Sequence, residues 1–192
     1  MKKNLIINNL GINFDGPILF RPKAFEDERG FFQESWNQKI FTKLINCDVT
    51  FVQDNYSRSC KNVLRGMHYQ IYPYPQSKLV RCTRGRILDV IVDMRKSSKT
   101  FGTWGSIELS EKNLIQLWIP KGFAHGFLAL EEINDVMYKT DYFWDPNCER
   151  TLTWNDKSLG IEWNLKNKDI KISKKDQNSL NFNQIDKEDM IF

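Results

Sequence analysis

Histidine is scarce in this chain, with two in 192 residues, His68 and His125. The four cysteines, Cys47, Cys60, Cys82 and Cys148, form no C-x-x-C pair. Their spacing argues against a zinc knuckle and for reduced thiols, and with them a cytoplasmic setting. Long apolar runs are missing too. Leu5-Ile6-Ile7 stops at Asn8, too short for the core of a secretory leader. No later run approaches the ~18 apolar residues of a membrane span. There is no dense Lys/Arg tract, and the formal net charge of +4 is mild, so neither a nucleic-acid partner nor a membrane is expected. A local basic patch for a phosphorylated ligand remains open.

Helical periodicity is nearly absent. One segment has it: Asn37 is placed to cap a short helix that carries Ile40, Phe41, Leu44 and Ile45 on one side. What is present is short apolar or alternating runs separated by turn residues. Pro17–Phe20, Phe51–Tyr56, Val63–Gln70, Lys78–Cys82, Ile87–Met94, Gly105–Leu109, Ile115–Ile119, Phe123–Leu130 and Val136–Phe143 read as strands. In the clearest alternation Leu88, Val90, Val92 and Met94 share one face, which should be core. Asp89, Ile91, Asp93 and Arg95 share the other, which should be polar or partnered. Tyr72-Pro73-Tyr74-Pro75-Gln76 must be a loop, since its prolines cannot sit in a central strand. The pattern is all-β, a β-sandwich or barrel, in one domain over residues 1–192.

Two segments stand apart. Residues 25–36 pass through a charged turn at Gly30 into an aromatic strand, which suggests a hairpin or a projecting arm. From Lys166 the composition turns to Lys, Asn and Asp with scattered Ile and Leu, which reads as a solvated cover, partly helical or loose. Chemistry concentrates in Leu64-Arg65-Gly66-Met67-His68-Tyr69-Gln70. Imidazole titrates near neutrality, with an unperturbed pKa of ~6.5. Beside fixed positive charge from Arg65 and Lys78 it suits a general base acting on an acidic C–H bond.

Ordered blocks carry a resemblance. They are Phe25-x-Asp27-x-Arg29-Gly30-x-Phe32-x-Glu34, Gln53-Asp54-Asn55, Leu64-Arg65-Gly66-x-His68-x-Gln70 and Lys78-Leu79-Val80-Arg81. Asp93-x-Arg95-x-x-Ser98-x-Thr100-Phe101-Gly102, Trp118-Ile119-Pro120-x-Gly122-Phe123-Ala124-His125-Gly126-Phe127 and Trp154-Asn155-Asp156 follow. From about residue 17 to about residue 176 the chain resembles the dTDP-4-dehydrorhamnose 3,5-epimerase family. The resemblance implies a cupin-like jelly roll with a few short helices, working as a homodimer without metal or other cofactor. It implies inversion of carbons 3 and 5 of dTDP-4-dehydro-6-deoxy-D-glucose, giving dTDP-4-dehydro-L-rhamnose.

Residue by residue, the resemblance makes His68 the base, Asp176 the carboxylate that holds it, Tyr138 the proton donor and Lys78 the cation at the carbonyl oxygen. It gives substrate contacts to Arg29, Phe32, Glu34, Gln53, Asp54, Asn55, Arg65, His125, Phe143, Glu149 and Lys175. Arg29, Phe32 and Glu34 lie in the arm about 1–36, which a dimer would exchange between sites. The polar tail is expected over about 166–192. A metal-dependent cupin is the rival class, but Gln70 stands where its H-x-H pair needs a second histidine. A non-catalytic sugar-binding cupin would have lost the base or the acid. A mono-epimerase acting at one centre would share most of these blocks.

Overall fold

The computed structural model describes residues 4–7, 13–165, 169–190 and 192. Met1–Lys3, Asn8 at the end of the first apolar run, and Lys166, where the tail was expected to begin, lie outside them. Strand numbers follow chain order. One antiparallel sheet runs β1 (Asn4–Ile7), β2 (Asn13–Phe20), β10 (Gln116–Ile119), β7 (Lys78–Arg84), β12 (Asn134–Thr140), β5 (Gln53–Ser59). The other runs β13 (Glu149–Thr151), β6 (Leu64–Gln70), β11 (Phe123–Ala129), β8 (Arg86–Asp93), β9 (Trp104–Ser110). Chain neighbours such as β5 and β6, or β11 and β12, therefore fall in opposite sheets, the crossing pattern of a jelly roll. The expected all-β, cupin-like fold is the one observed.

Three apolar layers follow from period-two alternation on these strands. Val80, Leu117 and Val136 from the first sheet meet Ile87, Ile91 and Phe127 from the second between the sheets. Ile18, Phe20, Leu79 and Trp118 on the outer face of the first sheet are covered by Phe41 of helix α1 (Gln38–Ile45). The Asn37 side chain accepts from Ile40 N at 3.2 Å, the expected N-cap, worth ~1 kcal/mol. Ile40 itself is exposed, so the apolar side of α1 is narrower than the sequence suggests.

Several expectations are corrected. Strand β5 begins at Gln53 and ends at Ser59, later than Phe51–Tyr56. Strand β12 ends at Thr140, where the chain turns, so residues 141–143 are not strand. On β8 the expected split holds: Leu88, Val90, Val92 and Met94 pack in an apolar layer, and on the other face Asp89 and Asp93 are buried and partnered by His125 and Arg95. The tail is partly helical, as expected, but it is packed rather than loose. Ile170, Ile172, Phe182 and Ile185 pack over the outer face of the second sheet, and Lys171 and Leu180 bridge to Val63 and Leu152. The arm is also shorter than 1–36, because Phe14, Ile18 and Phe20 of β2 belong to the core. What stands apart is the hairpin of β3 (Ala24–Asp27) and β4 (Gly30–Gln33), with Phe25, Phe31 and Phe32 exposed.

The loop Tyr72–Gln76 packs on its own chain. Gln70, buried at the end of β6, donates to Tyr74 O at 2.6 Å and Phe143 O at 3.3 Å and accepts from Asp145 N at 2.8 Å. Tyr74 stacks on Tyr142 with ring centroids 4.8 Å apart. The residue in place of a second metal-binding histidine is thus a tie between two loops.

Candidate active site

Between the sheets, at the end where β6 and β12 face each other, lies a cleft of about 520 Å³. Its second-sheet wall is set by one extra residue. On β11, His125 and Phe127 are two apart; their partners on β6, His68 and Arg65, are three apart. A bulge therefore switches the alternation of β6, so Arg65 and His68 both turn inward while Leu64 and Met67 pack outward. Glycines permit it: a Cβ on Gly66, at φ +120°, would sit 2.5 Å from Gly126 Cα. The R-G-x-H pattern is the sequence form of this bulge.

His68 Nε2 lies 2.6 Å from Asp176 Oδ1. Asp176 is on the short helix α2 (Lys174–Gln177), capped by Ser173, and is buried at 4% exposure. Its second oxygen accepts from Gly66 N at 3.5 Å. Burial opposes ionisation of Asp176, but the bonds from His68, Ser173 and Gly66 outweigh it and hold the carboxyl below its ordinary range. An ionised Asp176 takes a proton-bearing Nε2–H, which leaves the other ring nitrogen of His68 with a lone pair.

Lys78 Nζ donates to the backbone oxygen of His68 at 3.2 Å. Burial lowers its pKa to about 8, against the opposing pull of Glu149 and Asp89. His125, opposite His68 in register, bonds Asp89 Oδ2 through Nε2 at 2.9 Å. Burial pushes His125 down and Asp89 up. Lys78 therefore supplies the cationic charge of the floor and His125 a neutral imidazole.

The first-sheet wall carries Tyr138, opposite Asn55 on β5. Burial, with Glu149 nearby, raises the phenol above its ordinary value, so it keeps its proton well past neutrality. Gln53 donates to Asn55 Oδ1 at 2.9 Å and accepts from Trp144 N at 3.0 Å. At the mouth Arg65 bonds Ser59 Oγ at 3.0 Å and pairs with no carboxylate among the described residues. Glu149 accepts from Lys175 and, at 3.1 Å, from the Trp144 indole. Burial opposes its ionisation, but these bonds hold it below the usual range.

The structure thus gathers His68, Asp176, Lys78, His125, Tyr138, Gln53, Asn55, Arg65, Glu149 and Lys175 around one cleft. Five expected contacts are not in it. Asp54 is on the other face of β5, 2.8 Å from Lys139. Phe143 points away from the lining and is 62% exposed, and the aromatic at the rim is Trp144. Arg29 pairs with Asp27 at 2.6 Å in the hairpin turn, and Phe32 and Glu34 are exposed beside it. Sequence reasoning assigned no role to Asp89 or Ser57; the only signal for Asp89 was an acid on the inward face of β8. Among the described residues no group of three His, Cys, Asp or Glu is placed to hold a metal. The cysteines are unpaired, as the spacing suggested.

Residues 12–184 match the dTDP-4-dehydrorhamnose 3,5-epimerase family. The chain is 53% identical over 165 residues to a dTDP-4-dehydrorhamnose 3,5-epimerase of Shigella flexneri, covering 86% of this chain and 90% of that one. It is 50% identical to one of Pseudomonas aeruginosa, covering 88% and 92%. The fold is similar, at TM-score 0.90 and 41% identity, to a dTDP-6-deoxy-D-glucose-3,5-epimerase of Legionella pneumophila solved with dTDP-4-keto-L-rhamnose, covering 99% and 97%. It is also similar, at TM-score 0.83 and 28% identity, to a 3'-monoepimerase of Streptomyces bikiniensis, covering 91% and 87%.

Proposed function

The chain belongs to the dTDP-4-dehydrorhamnose 3,5-epimerase family, and from that premise we propose how its cleft works, with His68 as base and Tyr138 as acid. The reaction inverts carbons 3 and 5 of dTDP-4-dehydro-6-deoxy-D-glucose to give dTDP-4-dehydro-L-rhamnose, a step in making dTDP-L-rhamnose. Each inversion removes a proton from one face of the sugar ring and returns one to the other. The observation that carries the assignment is that His68, held by Asp176, and Tyr138 stand on opposite sheets and line the same cleft. Sheets packed about 10 Å apart leave a ring's thickness between two such walls.

His68 takes the proton beside the 4-keto group, and Asp176 steadies the imidazolium that results. Lys78 and the neutral His125 face the oxygen on which the enolate charge builds. Tyr138 delivers a proton to the far face, its phenol intact at pH 7. Arg65 and Lys175 at the mouth suit the diphosphate, and the Trp144 indole offers a flat surface for the pyrimidine. A homodimer is part of the reading. Arg29 and Phe32 on the hairpin, and Glu34 just after it, are outside their own cleft, with three phenylalanines exposed, so this segment completes the partner subunit's site. The whole chain acts as one catalytic domain.

The test is incubation with the 4-keto substrate in heavy water, followed by NMR. Deuterium at both carbons 3 and 5 is expected. Label at carbon 3 alone would move the protein to the mono-epimerases, which the likeness to the Streptomyces enzyme makes the second reading. No label at either carbon would sink the activity.

A further inference from the structure

Four buried side-chain polar atoms among the described residues have no hydrogen-bond partner: Asn55 Nδ2, Ser57 Oγ, Tyr69 Oη and Asp89 Oδ1. Two of them belong to successive inward positions of β5, on the wall that carries Tyr138. Asn55 is opposite Tyr138 in register, and Ser57 is opposite Val136. The next inward residue, Ser59, has its hydroxyl taken by Arg65 Nε at 3.0 Å. Ser57 therefore lies between the phenol and the guanidinium, and it lines the cleft with both.

A buried hydroxyl without a partner destabilises the free protein, and natural folds seldom tolerate one without a use. Serine turns about a single side-chain bond, so a small rotation brings its hydroxyl to a new acceptor. The described residues offer the Ser57 hydroxyl no partner, and a ligand seated in the cleft that Ser57 lines can supply an acceptor. Among the described residues Arg65 hydrogen-bonds Ser59 Oγ and Arg58 O, and neither neutralises its charge. An unneutralised guanidinium at the mouth of a cleft is an anion site.

We propose that Ser57 is a further substrate-binding residue, its hydroxyl donating to a diphosphate oxygen held by Arg65. The inference rests on the nucleotide-sugar reading above and deepens it. The unmet hydroxyl costs stability in the free protein and is satisfied when the diphosphate enters. The contact is the same for substrate and transition state, so it tightens binding without speeding the chemical step.

The experiment compares Ser57→Ala with wild type by calorimetric titration of dTDP and of thymidine, and by thermal unfolding without ligand. The expected result has opposite signs. The variant unfolds no lower than wild type, binds dTDP about tenfold more weakly and binds thymidine equally well. With the full substrate KM rises by a similar factor and kcat stays within about twofold. dTDP affinity within twofold of wild type would overturn the proposal. So would equal weakening toward thymidine, or a lowered unfolding temperature, since either makes the hydroxyl structural. A wild type that binds dTDP but moves no deuterium would sink the epimerase reading and leave this contact standing.

Discussion

His68 and His125 stand directly opposite each other on neighbouring strands, and each gives its Nε2 to an aspartate, Asp176 at 2.6 Å and Asp89 at 2.9 Å. The two pairs differ in polarity. Asp176 is held ionised, so His68 presents a lone pair to the cleft. Asp89 is fully buried and pushed up while His125 is pushed down, so burial works against charge on that pair.

That difference separates two conservative variants. In Asp176→Asn the amide oxygen stays with Gly66 N and the NH₂ faces His68, which forces the proton onto the cleft-side nitrogen and blocks the base. Turnover should fall about 10²- to 10⁴-fold. In Asp89→Asn the amide still hydrogen-bonds His125 and leaves the His68–Asp176 pair untouched, and turnover should stay within about tenfold. Steady-state kinetics on both decide it; equal losses would contradict the contrast.

Lys78 predicts the alkaline limb. Its buried ammonium has a pKa of about 8, so it is charged below that pH and neutral above it. If it stabilises the enolate oxygen, kcat/KM should be level near neutrality and fall about tenfold per pH unit above pH 8. The kcat limb should lie higher, because bound diphosphate favours the ammonium. A kcat/KM profile still flat at pH 10 would remove Lys78 from the chemistry.

The tail reports on the site from a distance. Asp156 accepts from Ser158 N and Oγ, Leu159 N and Phe182 N, and so pins the segment that carries Asp176. Burial opposes its ionisation, yet these donors keep the carboxyl below its ordinary range. Asp156→Ala should cost about 2–3 kcal/mol by leaving buried N–H groups unmet. The unfolding midpoint should fall by roughly 4–12 °C, and turnover should fall with it as Asp176 loosens. A stable variant with full turnover would show that the tail needs no such pin.

Much of this protein was legible in one dimension. Alternation over β7, β8 and β11 marks strands because side chains on a strand repeat every two residues. The Asn37 cap and the turn at Gly30 are likewise local events. Reading strand through Phe143 failed because β12 stops at Thr140, where Ser77 N bonds Asp141 Oδ1 and the chain turns. Trp144, one residue on, reaches the cleft instead.

By itself the sequence determined most of the strands, His68 and Lys78 as candidates, and the family, because these rest on short-range periodicity and ordered blocks. Tertiary structure decided which acids matter. Asp176 meets His68 across 108 residues, and Asp89 meets His125 across 36. Nothing local distinguishes Asp176 from the lysines beside it. It becomes a partner because Ile170, Ile172 and Phe182 dock the tail on the second sheet and carry its carboxylate out of water. Burial and long-range packing give that charge its role, and neither can be read from chain neighbours.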